Sequence, residues 1–172
     1  VDGRLSAAGR AAVSAHAGGG SGGGISLTVG TLSGSGVIAA NGGAGTGLGG
    51  GGGGGRIAIT YTTSAFSGLM SAYGGGGSAW GGAGTIYTIG YRQSGQVVVD
   101  NGGRAGTNTY WMPTGTIDLT VTGGAIVAPQ SSLMLANLLV ASNGWISLSP
   151  QTLTVTSNAT VQAGGGILAD GM

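Results

Sequence analysis

Asp100, with Asn101 beside it and Arg104 close by, is the best single candidate in this chain for an acid or a calcium ligand. An aspartate ahead of Asn101-Gly102-Gly103 also has a simpler use, since a short polar side chain bonds backbone two residues on and orders a turn. That is the role expected here. The other acids, Asp2, Asp118 and Asp170, are so scattered that no two carboxylates lie within a few positions of each other, whereas sugar-cleaving sites work through paired carboxylates. His16 is the only histidine, so a neutral-pH base or a serine triad would have to use it. It ends the segment Ala12-Val13-Ser14-Ala15-His16, where two later segments of the same plan end in Asn41 and Tyr73. A position that takes all three reads as a solvent-facing strand end. Gly49 to Gly55 before Arg56 lacks the Lys-Ser/Thr ending and the following helix of a phosphate loop. With no cysteine, disulfides and thiolate metal sites are excluded. No catalytic residue, metal site or cofactor is expected, and the chain does not read as an enzyme.

Binding is a different matter. Tyr73, Trp80, Tyr91, Tyr110 and Trp111 fall mainly in or near irregular segments, where aromatic rings could stack on sugars or anchor a neighbouring subunit. The plainer reading is that they cover a glycine-rich layer or cap a core. Alternating threonines at Thr120/Thr122 and Thr154/Thr156 could line a flat ice-binding face, although threonine is also a good outward strand residue. Asn158-Ala159-Thr160 is a glycosylation sequon, meaningful in a eukaryotic secretory setting.

The elements that carry these residues follow from composition. Glycine fills 43 of 172 positions, against a usual share of about 7%, and there is no Gly-X-Y period to make collagen. Residues are 41% hydrophobic and 5% charged, which is a poor fit to disorder. All bases are arginine and all acids aspartate. The missing lysine and glutamate are the residues that coat helix surfaces, while Thr, Val and Ile abound, so essentially no helix is expected. A net charge of +1 without a basic stripe argues against nucleic acid. No apolar run approaches the roughly 20 residues that a spanning helix needs, so no membrane span is expected.

Internal repeats decide the fold reading. Ala12–His16, Val37–Asn41 and Leu69–Tyr73 each read as a short strand entering a glycine tract. After each tract comes an alternating strand: Gly24 to Val29, Arg56 to Tyr61, and Thr85 to Ile89. Ile25 and Ile57 are 32 residues apart, Ile57 and Ile86 are 29. Residues 1–95 therefore form three strand–glycine tract–strand units. Residues 96–172 continue the same body with short strands at Gln96–Val99, Thr116–Thr122, Ala125–Ala128, Ser132–Leu135, Leu138–Ala141, Trp145–Leu148, Leu153–Thr156, Thr160–Ala163 and Gly166–Ala169. The expected architecture is an all-β parallel β-helix, a solenoid whose glycine tracts recur in register and stack in an ordered layer. A β-sandwich is the alternative, suggested by the hairpin-like Thr122-Gly123-Gly124 turn.

Gly18 to Val29, Thr31 to Gly36, Ala39-Ala40-Asn41-Gly42-Gly43 and Gly50 to Ile59 make the chain similar to the glycine-rich repeat regions of large bacterial secreted and cell-surface proteins. The later half resembles the β-helical stalks of autotransporter-like passengers and adhesins, and the glycine runs resemble, in composition, the packed polyglycine of certain phage tail adhesins. The resemblance implies a secreted or cell-surface stalk, adhesin or matrix component. Extracellular or cell-surface placement also suits a chain poor in charge and free of thiols.

The ends suggest how such a piece would be used. The chain opens on Val1 with no leader-like segment, which reads as a mature product or an excised piece. Ile167-Leu168-Ala169-Asp170-Gly171 echoes Asp2-Gly3-Arg4-Leu5-Ser6-Ala7, as if one repeat ended where another begins. Leu5, Ile167 and Leu168 are thus expected at an end-to-end contact, either with identical subunits in a homopolymer or with adjacent repeats of a longer chain. The function expected is a noncatalytic extracellular structural module, with glycan binding or polysaccharide activity as the alternative and surface glycans as the further partner.

Overall fold

Alternating apolar and hydroxylic residues place their apolar side chains on one face of a strand, as in the longer of the fifteen strands that form among the residues described, 1–113 and 115–170, in a computed structural model. Thr114, Gly171 of the C-terminal echo and Met172 lie outside the described residues. In chain order the strands are β1 (Arg4–Ser6), β2 (Gly24–Gly34), β3 (Val37–Ala39), β4 (Arg56–Phe66), β5 (Leu69–Ser71), β6 (Thr85–Gly90), β7 (Gly95–Asp100), β8 (Thr109–Trp111), β9 (Ile117–Thr122), β10 (Ile126–Pro129), β11 (Leu133–Val140), β12 (Trp145–Ser147), β13 (Leu153–Val155), β14 (Ala159–Val161) and β15 (Gly166–Leu168). The fold is all-β, with no helix among the described residues.

Three sheets result: β1-β3-β5, β15-β12-β10-β8, and a large sheet ordered β13-β11-β9-β7-β6-β4-β2, with β14 also on β11. All pairs are parallel except β6 and β7, where Ile86, Tyr87 and Thr88 face Val98, Val97 and Gln96. The large sheet is therefore mixed, which corrects the expectation of a uniformly parallel coil. The cause is the short Tyr91–Ser94 connection, with Arg92 at φ 57°, because so short a link joins only antiparallel neighbours. Thr122-Gly123-Gly124 makes no hairpin; it carries the chain from β9 in the large sheet to β10 in another.

In the first half, β2 pairs with β4 from Gly24↔Arg56 to Gly34↔Phe66, and β4 with β6 from Arg56↔Thr85 to Tyr61↔Gly90. Ile25, Ile57 and Ile86 stand side by side and share an apolar cluster with Ile38, Ile59 and Leu32. Each isoleucine fully removed from water stabilises by about 1.5–3 kcal/mol. The facing sheet aligns Leu5, Ile38 and Met70. The strand of the first repeat is thus Arg4–Ser6, and Ala12–His16 is not a strand. Only Leu5 has the bulk to fill the place that Ile38 and Met70 fill in the next repeats.

Two extended tracts per repeat connect the two sheets, and they hydrogen-bond with a period of three. Gly19 and Gly22 donate to Gly50 and Gly53 at 2.9 Å, and Gly51 and Gly54 donate to Ala79 at 2.9 Å and Gly82 at 2.8 Å. In a second layer, Gly9 and Ala12 donate to Asn41 and Ala44, and Gly42 and Gly45 donate to Tyr73 and Gly76. Across the layers, Gly20 bonds Arg10, Gly43 bonds Gly20, Gly52 bonds Gly43, and Gly75 bonds Gly52. A period of three is that of the extended three-residue coil, in which successive residues face different neighbours. In the run Gly49–Gly55, a Cβ on Gly51 or Gly52 would enter the carbonyl of Gly75 or Gly20, while at Gly50 or Gly53 it would meet nothing nearer than 3.7 Å and 3.9 Å.

The second half has shorter repeats. Val97, Leu119 and Leu138 form one register line and Val99, Val121 and Val140 another, while Val127, Ile146 and Ile167 align in the opposite sheet. These residues make a separate apolar cluster. Outside it, a polar file crosses three strands or their ends: Asn137 Nδ2 donates to Asp118 Oδ1 at 2.8 Å, and Asn158 Nδ2 to Asn137 Oδ1 at 3.2 Å.

Candidate functional site: an aromatic patch on the glycine layer

Tyr73 and Trp80 come together because the two tracts of the third repeat turn back on each other. Trp80 folds over the outward Gly76, where a Cβ would lie 3.3 Å from the indole. The Arg104 guanidinium carbon sits 5.2 Å from the Trp80 ring centroid, a cation–π arrangement. Tyr73 covers Gly102 in the same way, at 3.2 Å for a Cβ placed there. The depression between them, about 330 Å³, is lined by Asn41, Tyr73, Trp80, Asn101, Arg104 and glycine backbone. Burial pushes the Tyr73 phenol above its ordinary value, and the negative charge of Asp100 pushes it further.

Two asparagines hold this patch in place. Asn101 is 1% exposed; its Oδ1 accepts the Gly74 N–H at 2.7 Å, and its Nδ2 donates to Gly81 at 3.2 Å and Arg104 at 2.7 Å. It therefore ties both tracts of the third repeat to the 101–104 turn. Asn41 Oδ1 accepts the Tyr73 N–H at 2.8 Å. The sequence reads Asn101 as part of a turn and Asn41 as a solvent-facing strand end, and neither as a site residue. The available signal was an asparagine one or two residues beyond a strand end, where a glycine tract begins or lies alongside and unpaired backbone groups need a partner.

An indole, a phenol, a guanidinium and the Asn41 amide can stack on and hydrogen-bond to a planar polar ligand such as a sugar ring. Asp100 takes the turn role: its Oδ1 accepts the Gly102 N–H at 2.9 Å. His16 sits in a turn at φ 59° and accepts the Leu48 N–H at Nδ1, 3.0 Å, so it is not the counterpart of Asn41 and Tyr73. Register places Ala8 there, since Ser6 pairs with Ala39 and Ala39 with Ser71. No group of three or more His, Cys, Asp or Glu able to hold a metal ion occurs among the described residues.

The other aromatic residues lie elsewhere. Tyr91 is 63% exposed at the β6–β7 turn, with Arg92 at 5.1 Å from its ring. Tyr110 borders a shallow groove of about 560 Å³ floored by the glycines of all three repeats and flanked by Arg56. Trp111 packs half-buried on the second apolar cluster. Leu5 lies in β1 at the edge of the three-stranded sheet, and Ile167 and Leu168 lie in β15 at the edge of the four-stranded sheet. Thr120 has Val98 and Leu139 as register neighbours, so its threonine alternation does not build a ladder.

These features define a class by geometry: an all-β body of laterally paired strands with a hydrogen-bonded polyglycine layer on one half. No family model, no curated protein and no solved structure matches the chain.

Proposed function

We propose that this chain is a noncatalytic structural segment of an extracellular or cell-surface stalk or filament, folded as a β-solenoid in two stretches of opposite strand direction joined at β6 and β7. The observation that carries this reading is the strand order: apart from the β6–β7 pair, neighbouring strands within each sheet come from successive repeats. In such a body length grows by adding rungs, each buried by its neighbours. Its two edges, β1 and β2 at one end and β13, β14 and β15 at the other, are templates for further pairing. Leu5, Ile167 and Leu168 would meet the flanking subunit or repeat.

Negative-stain electron microscopy of the chain across a concentration series tests this. Axially periodic filaments are expected if identical subunits join end to end, and short uniform rods if the segment serves inside a longer chain. Equant particles with no long axis at any concentration would remove the stalk reading. A second reading, glycan binding, is favoured by one observation, the Trp80–Arg104 pair beside Tyr73 and Asn41 in one depression.

A further inference from the structure

We infer that the edge formed by residues 17–34 and the turn at Gly3 docks a further parallel rung of the same plan, supplied by another polypeptide segment: a glycine tract, a long strand and a turn. The interface it would make is already present twice within the chain. Gly52 and Gly81 are equivalent by register, and a Cβ on either would enter the carbonyl of the preceding rung, Gly20 and Gly52 respectively. Gly55 and Gly84 repeat this against Gly23 and Gly55, and Gly36 and Gly68 against Gly3 and Gly36.

The first-rung counterparts of these positions are Gly20, Gly23 and Gly3; at Gly3 and Gly23 nothing in the chain requires glycine, while at Gly20 the Arg10 backbone already stands close. A Cβ at Gly3 would meet nothing within 4 Å, at Gly23 nothing nearer than 3.4 Å, and at Gly20 nothing nearer than 3.2 Å. All three are exposed. Glycine without a steric reason costs stability through the entropy of the unfolded chain, so Gly3 and Gly23, at rung-facing positions, fit a neighbour whose carbonyls approach as closely as those within the chain. Beside them β2 carries an eleven-residue edge, on which an incoming strand would find the unpaired backbone groups that β4 finds on the other side.

Arg10 limits the surface. It stands where Gly43 and Gly75 stand in the later rungs, both forced by a preceding carbonyl, and its side chain bars a tract from passing over residues 7–12. Docking is thereby confined to the layer that leads into β2. Head-to-head pairing of two copies would run antiparallel and would not bring carbonyls to Gly3, Gly20 and Gly23 together.

The inference rests on the reading of the chain as a stack of rungs, but its test is independent of filaments. A fluorescently labelled peptide with the sequence of residues 49–70 is titrated with the whole chain and followed by anisotropy, with melting temperatures recorded in parallel. Saturable binding is expected, weakened at least tenfold by Gly3→Ala/Gly23→Ala and unchanged by the outward-facing Gly53→Ala, with the melting temperature of the double variant held. The same rung is also supplied covalently, by inserting a copy of residues 36–67 ahead of Gly3 together with Arg10→Gly; a higher melting temperature is expected, and Gly23→Ala should lower it only in this background. Failure of both the peptide and the inserted rung overturns the inference, as does binding indifferent to Gly3 and Gly23. A dimer of the chain alone that the double variant dissolves would mean that the edge pairs with itself, which also overturns it. Filaments that persist in the double variant would leave the stalk reading standing without this edge.

Discussion

Replacing Gly52 by alanine is expected to lower the unfolding free energy by about 3 kcal/mol, whereas the same change at the adjacent Gly53 should leave it unchanged or raise it by about 0.5 kcal/mol. The two glycines belong to one run of seven and are indistinguishable in sequence. Their surroundings differ. A methyl group on Gly52 would enter the Gly20 carbonyl, with more backbone directly behind it, while one on Gly53 would stop 3.9 Å from Gly82. Backbone cannot step aside as the end of a side chain can, so the cost at Gly52 lies at the upper end of overpacking penalties. At Gly53 the methyl points to solvent and only narrows the unfolded ensemble. Urea denaturation of the two variants decides the matter. Equal effects would mean that the run is an ordinary surface loop.

Asn101→Ala is expected to cost about as much, roughly 3 kcal/mol, for a different reason. It removes three hydrogen bonds at once and leaves the Gly74 N–H and the Gly81 and Arg104 carbonyls without the partner they now have. An orphaned buried polar group costs about 1–3 kcal/mol. Asn101→Asp keeps an acceptor for Gly74 and loses both donors, so it should fall between the wild type and alanine. Loss of the Trp80–Arg104 arrangement should accompany the alanine change and be visible in the tryptophan emission. An alanine variant as stable as the wild type would show that water substitutes for the amide.

The long strands were legible because their side chains do what alternation implies: Ile25, Ile57 and Ile86 point inward and Ser26, Thr28 and Thr60 outward. The tract order was legible in part, through recurrence of the runs. What alternation could not reveal was β1, since Leu5 is one apolar residue between Arg4 and Ser6, whereas Ala12–His16 offers a longer and emptier pattern. Nor could it reveal the chain reversal at Tyr91–Ser94, because none of those residues is glycine or proline and Arg92 takes its positive φ unannounced. β8 (Thr109–Trp111) escaped for the same reason, its three residues showing no period. Of the candidate site, Tyr73 and Trp80 were found as aromatics in irregular surroundings. Arg104, Asn41 and Asn101 join them only through contacts 20 to 32 residues apart in sequence.

The single antiparallel pair also sets an order of events in time. Joining Ile86 to Val98 closes a much shorter loop than joining Ile25 to Ile57 or Ile57 to Ile86, and loop-closure entropy rises with the length enclosed. Hairpins form in microseconds, well ahead of non-local parallel pairs. The centre of the chain is thus the expected nucleus, from which the long-period half and the short-period half zip outward in opposite directions along the sequence. Destabilising changes at Val97 should then slow folding, and those at Leu153, on the far edge, should mainly hasten unfolding; stopped-flow chevrons of the two variants would separate these outcomes.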